Sequence, residues 1–116
     1  MSEQEPTAEA TSPKMNPWQP ISDAVDLKHL GKLAEECGEL SAAVSRCIIQ
    51  GVNEQEPVTG KVNRQWLEDE MADVIAGIGL TCERFGLNTA RMEARAERKM
   101  HQLRQWHAMA GGEPSP

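Results

Sequence analysis

Leu30-Gly-Lys-Leu-Ala-Glu-Glu-Cys-Gly-Glu-Leu-Ser-Ala-Ala-Val-Ser-Arg-Cys47 carries apolar residues at Leu30, Leu33, Cys37, Leu40, Val44 and Cys47, in alternating steps of three and four. That rhythm winds one apolar seam along an α-helix, the pattern of a helix packed in a bundle. Upstream, Ser22, Asp23 and Asp26 are rival N-caps, so the helix starts near Asp23, or a short first helix or a bend precedes Leu30. Gly51 is a good stop. Residues 51–62 hold Asn53, Pro57 and Gly60 and read as a loop. Leu67, Met71, Val74, Ile75, Ile78, Cys82 and Phe85 then mark a second helix from about Asn63 to Phe85, ended by Gly86. Asn88 can cap a third helix to about Ala108, seamed by Met92, Ala96, Met100 (or Lys99) and Leu103. Ala, Glu, Leu, Met, Gln, Lys and Arg abound, and β-branched runs are missing. The fold class is therefore all-α, a helical bundle.

Around that body, residues 1–17 are polar with Pro6, Pro13 and Pro17 and read as a flexible tail. Residues 18–109 form the helical domain, onto which Trp18 and Ile21 anchor an extended entry segment, and residues 110–116 read as disordered. A chain of 116 residues is one domain, small enough to be marginal alone, which favours self-association. The net charge of −6 argues against duplex nucleic acid as a partner, since counterion release needs a basic surface. Cys37, Cys47 and Cys82 are an odd number with no Cys-x-x-Cys pair, which fits small buried hydrophobes in a reducing cytoplasm. No signal-like apolar core lies in the first 20 residues, and no run approaches membrane-spanning length, so the expectation is a cytoplasmic protein without membrane contact.

The chemistry lies in two pairs of acids. Glu36 and Glu39 stand three apart on the first long helix, and Glu70 and Asp73 three apart on the second. A spacing of three puts both side chains on nearly the same side, one turn apart. By helical angle the acids flank the apolar seams, where they face a crevice between helices rather than open solvent. Ala43 and Gly77 sit beside them and leave room for a close helix approach. Four carboxylates aimed into one small volume repel, so such a cluster calls for hard divalent cations such as Mg²⁺ or Mn²⁺. That points to a metal-dependent reaction on a phosphate-rich substrate. The competing class is a non-catalytic helical oligomerisation module whose acids only solvate a face.

Glu35-Glu36-Cys-Gly-Glu39-Leu followed by Glu70-Met-Ala-Asp73-Val resembles the double motif of the MazG-like all-α nucleoside triphosphate pyrophosphohydrolases, Glu-Glu-x-x-Glu and then Glu-x-x-Asp. The resemblance covers about residues 27 to 105; either half alone would be a weak signal. It implies a four-helix type of bundle, assembled as a homodimer or homotetramer with sites at or near subunit contacts. It implies that Glu36, Glu39, Glu70 and Asp73 hold two or more Mg²⁺, with Mn²⁺ able to substitute. The ions bind a nucleoside triphosphate, and water cleaves between the α and β phosphates to give a monophosphate and pyrophosphate. The expected purpose is nucleotide-pool control in a bacterium or a phage-infected cell. Glu35 is the candidate group for orienting or deprotonating the attacking water.

Cations for the phosphates are sought on the third helix, where Arg95 and Lys99 are the candidates, with Arg91 and Arg98 nearby. Related enzymes place a Lys-Met on this helix with an Asn four residues after the Lys; Lys99-Met100 fits, but Leu103 stands at the Asn position. Arg91 and Arg95 are equally explained by pairing with Glu93 and Glu97 along the helix. Lys32 reads as an ion-pair partner of Glu36, while Lys61 and Arg64 flank the loop within reach of phosphates. Trp18 is the candidate to stack on a nucleobase, and Trp66, on the same side as Glu70, a pocket wall; their large faces favour a purine such as dGTP. Trp106 fits packing at an interface. No Glu-x-x-His occurs, which argues against a ferritin-like di-iron bundle, and no phosphate-cradling Gly-rich loop is present.

Overall fold

Of the three rival caps, Asp23 starts the first helix. Its extended backbone and its carboxylate, which accepts from the backbone N–H of Val25 at 2.9 Å and of Asp26 at 3.0 Å, satisfy two of the free donors of the first turn. The helix α1, Ala24–Gln50, then runs without a break past Leu30, so neither a separate short helix nor a bend intervenes. The computed structural model describes residues 17–111, in three helices: α1, α2 (Asn63–Phe85) and α3 (Thr89–Met109). The expected flexible tails lie almost wholly outside the described residues. Gly51 ends α1 at φ 102°, and Gly86 ends α2 in the left-handed region at φ 62°, ψ 41°. Asn88 caps α3 by accepting from the Arg91 N–H at 3.0 Å.

α1 and α2 form an antiparallel hairpin, pinned at both ends. At one end Arg84 donates to Asp26 at 2.7 Å and to Asp23 at 3.2 Å. At the other, Asn63, fully buried, donates its side-chain amide to Gln50 Oε1 at 3.2 Å and to the Gly51 carbonyl at 3.0 Å. The loop between the helices has its own order. Glu56 accepts from the backbone N–H of Thr59 at 2.7 Å and of Val58 at 3.2 Å and from the Thr59 hydroxyl at 2.8 Å, bonds that hold its carboxyl below the usual range. An isolated bridge joins Gln55 to Val62. Asn63→Ala removes both clasping bonds and leaves Gln50 Oε1 unpaired, while the Gly51 carbonyl keeps only its 3.4 Å bond from the Glu54 N–H. We expect it to cost about 1–3 kcal/mol, read as a lower urea midpoint at unchanged slope.

The seam between α1 and α2 differs from the apolar stripes of the sequence by a rotation of about one position. The contact line runs through His29, Leu33, Glu36, Leu40, Ala43 and Cys47 on α1 and Asn63, Leu67, Glu70, Val74, Gly77 and Thr81 on α2, all half-buried or buried, as are Cys82 and Phe85 of the expected stripe. Cys37, Leu30, Val44, Met71 and Ile75, assigned to the seams by periodicity, face outward, with Ile75 69% exposed. Close approach at small residues explains the rotation. Ala43 is buried, and a Cβ on Gly77 would come within 3.3 Å of Leu33 Cδ1.

α3 packs much less. Cys82 meets Met92 at 3.6 Å, and α1 against α2 is the only extensive helix contact among the described residues. Met100 and Leu103 on its expected seam stay exposed, as does Trp106, expected at an interface. A cleft of about 480 Å³ opens between α2 and α3, lined by Ile75, Ile78, Cys82 and Met92 among others. Ala43 and Cys82 are the only buried apolar residues among those described. No helix in that range is long and apolar enough to cross a membrane.

Candidate metal centre

Close contact between α1 and α2 brings the two acid pairs together. Glu36, Glu39, Glu70 and Asp73 each offer a carboxylate oxygen, and these atoms all lie within 4.8 Å of one another. The inner two, Glu36 and Glu70, sit in the helix contact; the outer two, Glu39 and Asp73, are exposed at its mouth. This corrects the edge-of-seam placement for Glu36 and Glu70, which lie within the contact itself.

The electrostatics of the cluster are unbalanced. Glu36 Oε1 and Glu70 Oε1 are enclosed and have no hydrogen-bond partner. Such an oxygen has given up water without a replacement, an arrangement folded proteins rarely leave uncompensated. The single cation paired with the cluster among the described residues is Lys32, 3.4 Å from Glu36 Oε2 and shared with Glu35 at 3.1 Å. It is mostly exposed, so its compensation is weak. The charge of Glu36 pushes the Glu39 carboxyl above its usual range, with partial burial and then Glu70 and Glu35 adding to it. Four carboxylates, two of which carry an unpartnered oxygen, fit a hard divalent cation such as Mg²⁺ or Mn²⁺; no nitrogen or sulfur donor belongs to the cluster.

A raised carboxyl in the folded state has a definite linkage sign. Between the unfolded and folded pKa values the native state binds more protons, so the contribution of Glu39 is favourable at the lower pH and is lost as pH rises through the folded value. The metal-free protein should therefore gain stability from Glu39→Gln at neutral pH, and the gain should shrink as pH falls towards the unfolded carboxyl value. Urea midpoints of both forms in chelator, across pH 4.5–7.5 (about the carboxyl-to-neutral range), check this. A gain that does not vary with pH contradicts it.

The remaining expected site residues fall into two groups. Glu35 adjoins the cluster in sequence but is exposed and bonded to Lys32. Arg95 and Lys99 are exposed on α3, and neither bonds to the four acids; Trp18 is 82% exposed at the start of the described chain. Along α3, Arg91 and Arg95 make no ion pair with Glu93 or Glu97 among the described residues. Arg64 is taken up by Asn53, donating at 2.9 and 2.8 Å, a loop-fixing role. Lys61 bonds Asp69 at 2.6 Å and lies 4.4 Å from the Trp66 ring centroid. Arg46, which sequence reasoning passed over, holds its guanidinium 5.2 Å from the same ring. Its only sequence signal was a cation seven residues after Glu39, on the helix that bears the first acid pair. Comparison with protein-family models, with curated proteins and with solved structures found no match for this chain.

Proposed function

We propose that this chain is the subunit of a divalent-cation-dependent nucleoside triphosphate pyrophosphohydrolase of the MazG-like type, converting NTP or dNTP and water to the monophosphate and pyrophosphate. The observation that carries the reading is the convergence of four carboxylates within 4.8 Å, with two enclosed oxygens lacking any partner. Glu36, Glu39, Glu70 and Asp73 would hold Mg²⁺, which when bound supplies charge neutralisation, polarises phosphate oxygens and lowers the pKa of water. The outer acids are exposed, so a large anionic ligand has access to them, while the inner acids lie in the helix contact that fixes their positions. Glu35, on the same turn as Glu36, would orient the attacking water and accept its proton.

Arg95 and Lys99 would meet the phosphates from a second copy, because α3 carries them on an exposed surface with no bond to the cluster of its own chain. Trp18 would cover the base, and a purine such as dGTP is the preferred substrate on its stacking face. A homodimer or homotetramer is supported by the apolar surface: a chain with two buried apolar residues among those described, and with Ile48, Ile75 and Trp106 exposed, has not completed its core. Two α1–α2 hairpins packed by these faces would supply the four-helix type of bundle. Nucleotide-pool control in the cytoplasm is the corresponding role.

The test is pyrophosphate release across the eight common NTPs and dNTPs with Mg²⁺ or Mn²⁺. Cation-dependent release from at least one of them supports the reading. No release from any, with no effect of cation on stability, leaves a helical oligomerisation module as the better description.

A further inference from the structure

Trp66 stands one turn before Glu70 on α2, so its side chain neighbours one of the inner acids. Two cations converge on its indole: Lys61 Nζ at 4.4 Å and Arg46 Cζ at 5.2 Å from the ring centroid, both within the range of cation–π attraction. Lys61 comes from the interhelical loop and Arg46 from α1, two turns beyond Glu39, so three segments of chain build this feature. Lys61 has an anionic partner in Asp69 at 2.6 Å. Arg46 has none within 4.0 Å among the described residues, and Glu56, which senses its charge, directs its carboxylate to Val58 and Thr59. A guanidinium carries five donors and no acceptor, and none of those of Arg46 makes a hydrogen bond among the described residues.

We propose that Arg46 and Lys61, gathered on Trp66, form the subsite for the terminal phosphates of a polyphosphate ligand whose inner phosphate lies at the carboxylate cluster. The inference rests on the reading of that cluster as a divalent-cation site. Donor-only charged groups select an anion, and Arg is suited to clamp phosphate oxygens through paired N–H groups. The indole holds both cations near each other before any ligand arrives, so less ordering is left for binding to impose. Trp66 therefore serves as a platform for cations, which differs from its expected use as a stacking wall for the base.

Binding of inorganic pyrophosphate and tripolyphosphate to the full chain in Mn²⁺, measured by calorimetry, tests this without a base or a reaction. Arg46→Gln and Lys61→Gln should each weaken both ligands about tenfold or more, the loss of a charge-assisted hydrogen bond. Asp69→Asn, which removes the competitor for Lys61, should tighten them. All three variants should keep the wild-type rise in melting temperature with Mn²⁺ alone, which also reports that they fold. Unchanged affinities with that rise intact overturn the subsite and leave the cation site standing. Weakening confined to nucleoside triphosphates, with tripolyphosphate unaffected, also overturns it and assigns Arg46 to the base. Absence of any Mn²⁺ response in the wild type overturns both readings.

Discussion

Glu39→Gln and Asp73→Asn should each cut pyrophosphate release by roughly 10³-fold or more, at least the loss seen when one preorganised electrostatic contact is removed from a reaction centre (~10²–10³). Each exchange keeps the side-chain shape and removes a negative charge from a four-carboxylate cluster. The two outer acids are the informative ones, because they are exposed and make no hydrogen bond that fixes the fold. Circular dichroism should thus show unchanged helicity, and without metal the Glu39 variant should be more stable than the wild type, its charge having been repelled by Glu36. Glu36 and Glu70 lie within the helix contact, so their replacement mixes packing with chemistry. Full activity in both outer variants would remove the assignment of these acids to the site.

The second large effect is expected at Ile75. This residue is 69% exposed in the single chain and lines the cleft between α2 and α3. If a second copy covers that face, Ile75→Asp places a charge in an apolar contact, and sedimentation should show the assembly falling to single chains. Activity and much of the thermal stability should fall with it, since one chain encloses so little apolar surface. Val58→Asp is the control: Val58 is 88% exposed on the loop between α1 and α2, away from either helix face. An exposed change of that kind should shift stability by no more than about 0.5 kcal/mol. An Ile75 variant that sediments like the wild type contradicts the covered face.

Helix limits were legible because local chemistry sets them. Gly51 and Gly86 stop α1 and α2 with positive φ, and Asn88 caps α3, all as their residue types require. Asp23 starts α1 because its carboxylate accepts from the N–H groups of Val25 and Asp26, whereas the tie of both Asp23 and Asp26 to Arg84, at the end of α2, is a contact beyond local reading. The acid pairs were legible as spacings and converge as expected. Which face of each helix turns inward was not legible. An apolar stripe marks what must leave water somewhere, not which partner covers it. Gly77 against Leu33, and the buried Ala43, draw α1 and α2 together along a smaller and more polar line, which leaves Met71 and Ile75 facing outward. Arg46 escaped notice for a similar reason: it meets Trp66 only across the α1–α2 contact, which Asn63 clasps at that end.

Thermal melting of metal-free protein, with and without Mn²⁺, addresses the carboxylate cluster itself. An ion that binds only the folded chain stabilises it by about 2.7 kcal/mol at a hundred times its Kd, which for a domain of this size raises the midpoint by roughly 10 °C. Wild type should show that rise, and Glu39→Gln and Asp73→Asn should lose most of it. A wild-type midpoint unmoved by millimolar Mn²⁺ or Mg²⁺ would mean that the four acids hold no cation, and the proposed chemistry would have no centre.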